Sequence, residues 1–166
     1  MTAEPGVESV QRLAELLLAR SMMVVTAESC TGGGIAWRFT SVPGSAHWFE
    51  RGFVTYSNAA KREALGVSEE ILEHYGAVSE EMAAAMAEGA LRHSHGDISV
   101  AVTGIAGPGG GTPYKPVGYV CFGWAMRNQA PRTTHVFFEG DRREIREQSI
   151  AMAIQGLIDI LESHQE

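Results

Sequence analysis

The sequence predicts an α/β fold: a single domain over residues 1–166, built as a three-layer α/β/α sandwich with helices on both faces of a mixed, mostly parallel sheet. Three observations predict it. Short, nearly all-apolar segments such as Met22–Ala27 have the composition of strands buried on both faces. Stretches with helical periodicity separate them. Glycine, at 19 of 166 residues, concentrates in two loops that follow buried strands, which is where open α/β sheets bind ligands.

Val10, Leu13, Ala14 and Leu17 fall at i, i+3, i+4 and i+7, so Val7–Arg20 reads as an amphipathic helix. Met22–Ala27 is the first strand, and Thr31-Gly32-Gly33-Gly34 breaks it before a helix over Ile35–Thr40. Aromatic and β-branched content makes Trp48–Ser57 a second strand. Asn58 is positioned to cap a short helix through Leu65 that Gly66 stops. Ser68 and Ser79 cap two more, the second over Glu80–His93 and rich in small residues. Asp97–Thr103 is a further buried strand, followed by the loop Gly104–Pro116, too long for an ordinary connector. In the strand Val117–Met126, one face carries Val120, Phe122, Trp124 and Met126. The other carries Tyr119, Cys121, Gly123 and Ala125 and must meet a close neighbour. Thr133–Phe138 is a strand close enough to the previous one to pair antiparallel with it. Asp141-Arg142-Arg143-Glu144 forms a capping box opening a long helix, with a stripe of Ile150, Ile154, Leu157, Ile158 and Leu161.

Composition narrows the function. A net charge of −7 disfavours general nucleic-acid binding, so a phosphorylated ligand needs local basic groups. Two cysteines, Cys30 and Cys121, are too few for a disulfide scaffold or a four-cysteine zinc site and fit a reducing cytoplasm. No segment reaches the roughly 18 apolar residues of a membrane span, and the first 20 residues do not read as a secretory signal. A soluble cytoplasmic protein is expected. His93 and His95 have poor spacing for a helical metal pair, so neither a metal site nor any cofactor is predicted. Homo-oligomer formation is left open.

Chemistry is concentrated in three places. Glu28-Ser29-Cys30-Thr31-Gly32-Gly33 sets hydroxyls and a thiol at a strand-to-helix turn, where backbone N–H groups can bind an anion or an oxyanion. The same residues also suit plain capping and turning. Ser29 and Cys30 compete as nucleophile, since a thiolate gains from a helix N-terminus. Tyr56 and Lys61 straddle the next strand-to-helix junction, where a desolvated lysine can act as a base and a tyrosine can relay a proton. Thr103-Gly104-Ile105-Ala106-Gly107 opens the long loop, and its glycines let backbone approach a ligand closely. Lys115, Arg142 and Arg143 are the basic residues available for a phosphate.

Several blocks resemble the nicotinamide mononucleotide amidohydrolase family, the CinA C-terminal domain. They are Thr26–Gly33, Trp48–Asn58, Gly76–Glu80, Thr103–Pro108, Lys115–Gly118 and Gly140–Arg142, together spanning about Leu13 to Leu157. The resemblance implies a metal-free hydrolase of pyridine-nucleotide salvage that converts the carboxamide of nicotinamide mononucleotide to the acid and ammonia. It places the nucleophile at Ser29, with Tyr56 and Lys61 as activating groups. It puts the Thr103-Gly104 turn in the same pocket; Cys30, Thr31, Gly32, Gly33, Ile105, Ala106 and Gly107 are the further residues expected around the pyridine mononucleotide, with N–H groups near Thr31 to Gly33 holding the oxyanion. About 12 residues precede the matched region, as in a stand-alone form, and Gly109–Tyr114 departs from the family in lacking an acidic residue after the proline. The alternative is a non-catalytic nucleotide-binding module using the two glycine-rich loops as phosphate nests.

Overall fold

A computed structural model describes residues 6–164 of the chain. Its centre is β1 (Val24–Glu28), every residue of which is buried. β1 pairs in parallel with β2 (Phe49–Val54) on one side and with β3 (Ile98–Gly104) on the other. β4 (Tyr119–Met126) runs antiparallel to β3, and β5 (Arg132–Phe137) antiparallel to β4, giving the order β2-β1-β3-β4-β5. β4 alone therefore opposes the direction of the other four strands.

Helices cover both faces, as the alternating sequence pattern requires. On one face lie α1 (Val7–Ala19), α2 (Gly34–Thr40) and the long α6 (Arg142–Ser163), which share a core with Val100, Val102, Phe122 and Trp124. On the other lie α3 (Asn58–Leu65), α4 (Glu69–Tyr75) and α5 (Glu80–Arg92), which enclose Val25, Ala27, Ala101 and Ala125. The stripe of α1 is buried as its periodicity dictates, and so is that of α6. The Asp141 and Glu144 capping box is formed in both directions.

β4 shows how side-chain size sets layer spacing. Its Phe122 and Trp124 rings stack at 5.7 Å, and Trp124 Nε1 donates to the Ala153 carbonyl at 3.0 Å, locking α6 to the sheet. On the opposite face α5 lies so close that a Cβ at Gly123 would stand 2.5 Å from Ala83 O. Glycine there, and the small residues of α5, are what let helix and sheet touch.

The differences from expectation are local. β1 begins two residues later than the apolar run, because Met23 is engaged by Asp97 instead: its N–H donates to Asp97 Oδ2 and its carbonyl accepts from Asp97 N–H. β2 ends at Val54, so Tyr56 and Ser57 lie outside the strand. Ser57, not Asn58, caps α3, since its extended backbone brings Oγ to 3.0 Å from Ala60 N–H. Gly66 ends α3 at φ 68, as a left-handed cap should. Val117 lies outside β4 and is partly exposed.

Gly123→Ala forces Cβ into the Ala83 carbonyl and should destabilise the fold by about 1 to 3 kcal/mol, the usual overpacking cost. Urea unfolding should show a lower midpoint at unchanged slope, and an unaltered midpoint would contradict the close approach.

Candidate active site

The parallel pairing of β1 with β2 and β3 brings the ends of all three strands to one edge of the sheet. There Ser29 follows β1, Thr55 and Tyr56 follow β2, and Thr103-Gly104 ends β3. A cavity of about 260 Å³ opens between them, walled by Ser29, Cys30, Tyr56, Lys61, Thr103 to Gly107 and Arg142, among others.

Lys61 is the central side chain. It springs from the first turn of α3 and is only 1% exposed. Its Nζ lies 3.0 Å from Ser29 Oγ, 3.0 Å from Thr55 O and 3.2 Å from Tyr56 O. Burial pushes the Lys61 pKa below its ordinary value. An ammonium satisfies three acceptors here. A neutral amine keeps two N–H bonds to the carbonyls and turns its lone pair to the Ser29 hydroxyl.

Cys30 sits in a different environment. Its thiol is buried, and desolvation pushes its pKa up to about 12. It therefore stays protonated at neutral pH. No cysteine pairs in a disulfide, and Cys121 is buried as well.

The turn after Ser29 is held from below by Glu28, which is fully buried. Its Oε1 accepts from Thr31 Oγ1 at 2.7 Å and Ile35 N–H at 2.8 Å, and its Oε2 accepts from Ala36 N–H at 3.1 Å. Gly32 and Gly34 N–H donate to Ser29 O and Thr31 O. The first amides of α2 are thus engaged by the protein itself. Of the residues expected around the ligand, Cys30, Thr103, Gly104, Ile105, Ala106 and Gly107 line the cavity with Ser29, Tyr56 and Lys61. Thr31 is buried behind the turn, and Gly32 and Gly33 stand outside the wall, against Arg146 and Val54.

Tyr56 is 59% exposed at the mouth of the cavity. Its hydroxyl accepts from Arg142 Nη2 at 3.0 Å, while Arg142 Nη1 donates to Gly107 O at 2.7 Å. Arg142 thereby ties α6 to the glycine-rich loop and sets a positive charge on the rim. Of the other basic candidates, Lys115 donates to Tyr75 O and Arg143 lies on a separate groove. Sequence reasoning named Arg142, with Lys115 and Arg143, as a basic residue available for a phosphate. Its capping box announces the helix start, but not that this start docks on the cavity. The Thr55 and Tyr56 carbonyls carry no side-chain signal at all. Among the described residues no group of three or more His, Cys, Asp or Glu is placed to hold a metal ion. Among the described residues no helix is long and apolar enough to cross a membrane.

Comparison with known proteins matches this architecture. Residues 7–161 match the family described as the CinA C-terminal domain. The chain is 46% identical over 157 residues to nicotinamide-nucleotide amidohydrolase PncC of Escherichia coli K12, covering 95% of each chain. It is 52% identical over 143 residues to a CinA-like protein of Akkermansia muciniphila, covering 86% of this chain but only 34% of that longer protein. The crystal structure of competence/damage inducible protein CihA from Agrobacterium tumefaciens superposes with a TM-score of 0.92 at 44% identity, over 98% of this chain and 99% of that one. The match over residues 7–161 and these identities make the chain a member of the CinA C-terminal domain family.

Proposed function

We propose that this chain is a nicotinamide-nucleotide amidohydrolase, converting nicotinamide mononucleotide to nicotinic acid mononucleotide and ammonia in pyridine-nucleotide salvage. The observation that carries the reading is the contact between buried Lys61 Nζ and Ser29 Oγ, a hydroxyl with a desolvated base in reach. The names of relatives such as the PncC amidohydrolases of Escherichia coli and Enterobacter agglomerans support the substrate class.

In the proposed cycle Ser29 Oγ attacks the carboxamide carbon while its proton passes to Lys61 Nζ. The oxyanion falls to the N–H of Cys30, the first amide after the nucleophile, because the α2 amides are spent on Glu28 and on the turn. The C–N bond breaks as the nitrogen takes up a proton relayed from Lys61 through Tyr56, and ammonia leaves. Tyr56 can serve because its oxygen accepts from Arg142 while its own O–H stays free to donate. Water then attacks the acyl-serine, Lys61 accepting the water proton and returning it to Ser29 as the acid departs. A cavity of about 260 Å³ suits the pyridine carboxamide, which leaves ribose and phosphate toward the rim and Arg142.

Purified protein should release ammonia from nicotinamide mononucleotide. Tight binding with no ammonia over hours would instead favour a module that only holds the nucleotide. Ser29→Ala should abolish turnover, whereas Cys30→Ala should keep a large share of it. The reverse outcome would transfer the nucleophile to Cys30.

Lys61→Met should lower kcat by about 10² or more, the usual value of a general base, with KM within several-fold. Lys61→Arg should be as poor, because a guanidinium stays protonated. Wild-type kcat should rise with pH through one ionisation below the ordinary lysine value, in line with the direction of the Lys61 shift. A fully active arginine variant would end the general-base role.

The same shift acts on stability. Folded Lys61 binds its proton less tightly than unfolded Lys61, whose pKa is about 10.4. Between those two values the unfolded chain holds more protons, so stability rises with pH through that window. Urea unfolding of wild type against Lys61→Met should show the difference moving in favour of wild type as pH climbs from neutral toward about 10. A flat difference would mean that the buried amine is not perturbed.

A further inference from the structure

A second concavity lies apart from the Ser29 cavity. It is a groove of about 620 Å³ between α2 and α6, within the usual size of a small-ligand site. Each helix turns an i, i+3, i+4, i+7 stripe toward it: Gly34, Trp37 and Arg38 of α2 with Ser41 at its C-terminal cap, and Arg143, Arg146, Glu147 and Ile150 of α6. Stripes so placed between two packed helices are normally apolar. Here only the floor packs, where a Cβ on Gly34 would stand 2.5 Å from Ile150 Cδ1. Above that contact the helices carry charge and one large aromatic ring.

The charges do not cancel. Arg38 pairs with Glu147 at 2.7 Å. Arg146 donates through Nε to Cys30 O and through Nη2 to Thr31 O, which are neutral acceptors, and Arg143 forms no ion pair among the described residues. Two guanidinium charges therefore face one groove on a chain of net charge −7. Trp37, 78% exposed, stands beside them. Flat ring, paired guanidiniums and concave shape match a planar base joined to a phosphate.

From this juxtaposition we propose that the α2–α6 groove is a second ligand site, separate from the Ser29 cavity, for a nucleoside phosphate whose base lies on Trp37 and whose phosphate accepts from Arg143 and Arg146. Arg146 reaches the ligand through Nη1, which makes no hydrogen bond among the described residues, so its hold on the Cys30 and Thr31 carbonyls is kept. An occupant thus braces the backbone turn that carries Ser29. The site does not depend on the amidohydrolase reading.

The test is calorimetric titration of the full chain with adenosine 5′-monophosphate and, separately, inorganic phosphate at low salt, where arginine–phosphate contacts are least screened. One saturable site is expected, with the nucleotide bound about ten-fold or more tighter than phosphate through base stacking. Arg143→Glu should weaken both ligands at least about ten-fold. Trp37→Leu should reduce the nucleotide to the level of phosphate, and Trp37→Phe should restore part of the difference. Hydrogen exchange at Gly32 and Gly34 should slow on saturation, and unchanged exchange would overturn the bracing of the turn. The site itself is overturned by absence of saturation, or by binding indifferent to Arg143→Glu but lost in Arg142→Ala, which belongs to the Ser29 cavity. It is equally overturned if Arg143→Glu changes the sedimentation of the unliganded chain, since the groove then accommodates a second copy. None of these readouts requires turnover, so failure here and failure of the amidase assay are distinguishable.

Discussion

Removing the Lys61 amine from water is the constraint around which this end of the molecule is arranged. Burying an ammonium costs several kcal/mol unless its hydrogens are satisfied. The chain meets that cost by leading β2 out of the sheet at Val54 so that two successive carbonyls, Thr55 and Tyr56, converge on Nζ beside Ser29 Oγ. The same departure makes Ser57 the cap of α3, and so fixes the turn from which Lys61 springs. α3 is in turn held against α5 at Gly89, where a Cβ would lie 2.1 Å from Leu65 O. Helix cap, strand end and helix contact are thus parts of one support for a single amine.

Glu28 does the corresponding work for the nucleophile. A buried carboxylate needs several donors, and it takes them from Thr31 and from the first amides of α2. The helix N-terminus is thereby satisfied from inside. Ser29 is left at the corner of a rigid turn, with its hydroxyl free for Lys61 and its backbone N–H donating to Val102 O at 3.0 Å. Strand β3 thus fixes Ser29 from one side while Arg146 fixes the following two carbonyls from the other.

Elements of the fold were legible because their signals are local. The helical stripe of Val10, Leu13 and Leu17, the serine caps, the Asp141 capping box and the two-faced pattern of β4 each lie within a few residues of one another. Ser29 and Lys61 are 32 residues apart, and only the β1–β2 pairing brings them together. From residue types alone they were two separate candidates, joined by family resemblance and not by spacing. Thr31, Gly32 and Gly33 were read as facing a ligand because helix-start amides commonly bind anions. Nothing local announced that Glu28, on the preceding strand, would take the Thr31 hydroxyl and the Ile35 and Ala36 amides. Arg142 was invisible as a wall of the cavity for a similar reason: its position follows from how α6 docks after β5, a long-range property.

Charge distribution gives the two concavities a common logic. At physiological ionic strength, charges beyond about 8 Å are largely screened, so a net charge of −7 does not decide what a pocket binds. The arginines within a few ångströms do. Arg142 stands on the rim of the Ser29 cavity, and Arg143 and Arg146 line the α2–α6 groove, all within the first five residues of α6. Successive residues on a helix point about 100° apart, so Arg142 and Arg143 can face two different concavities while one turn separates Arg143 from Arg146. The helix start that the capping box fixes is therefore also what distributes positive charge to either side of the nucleophile turn.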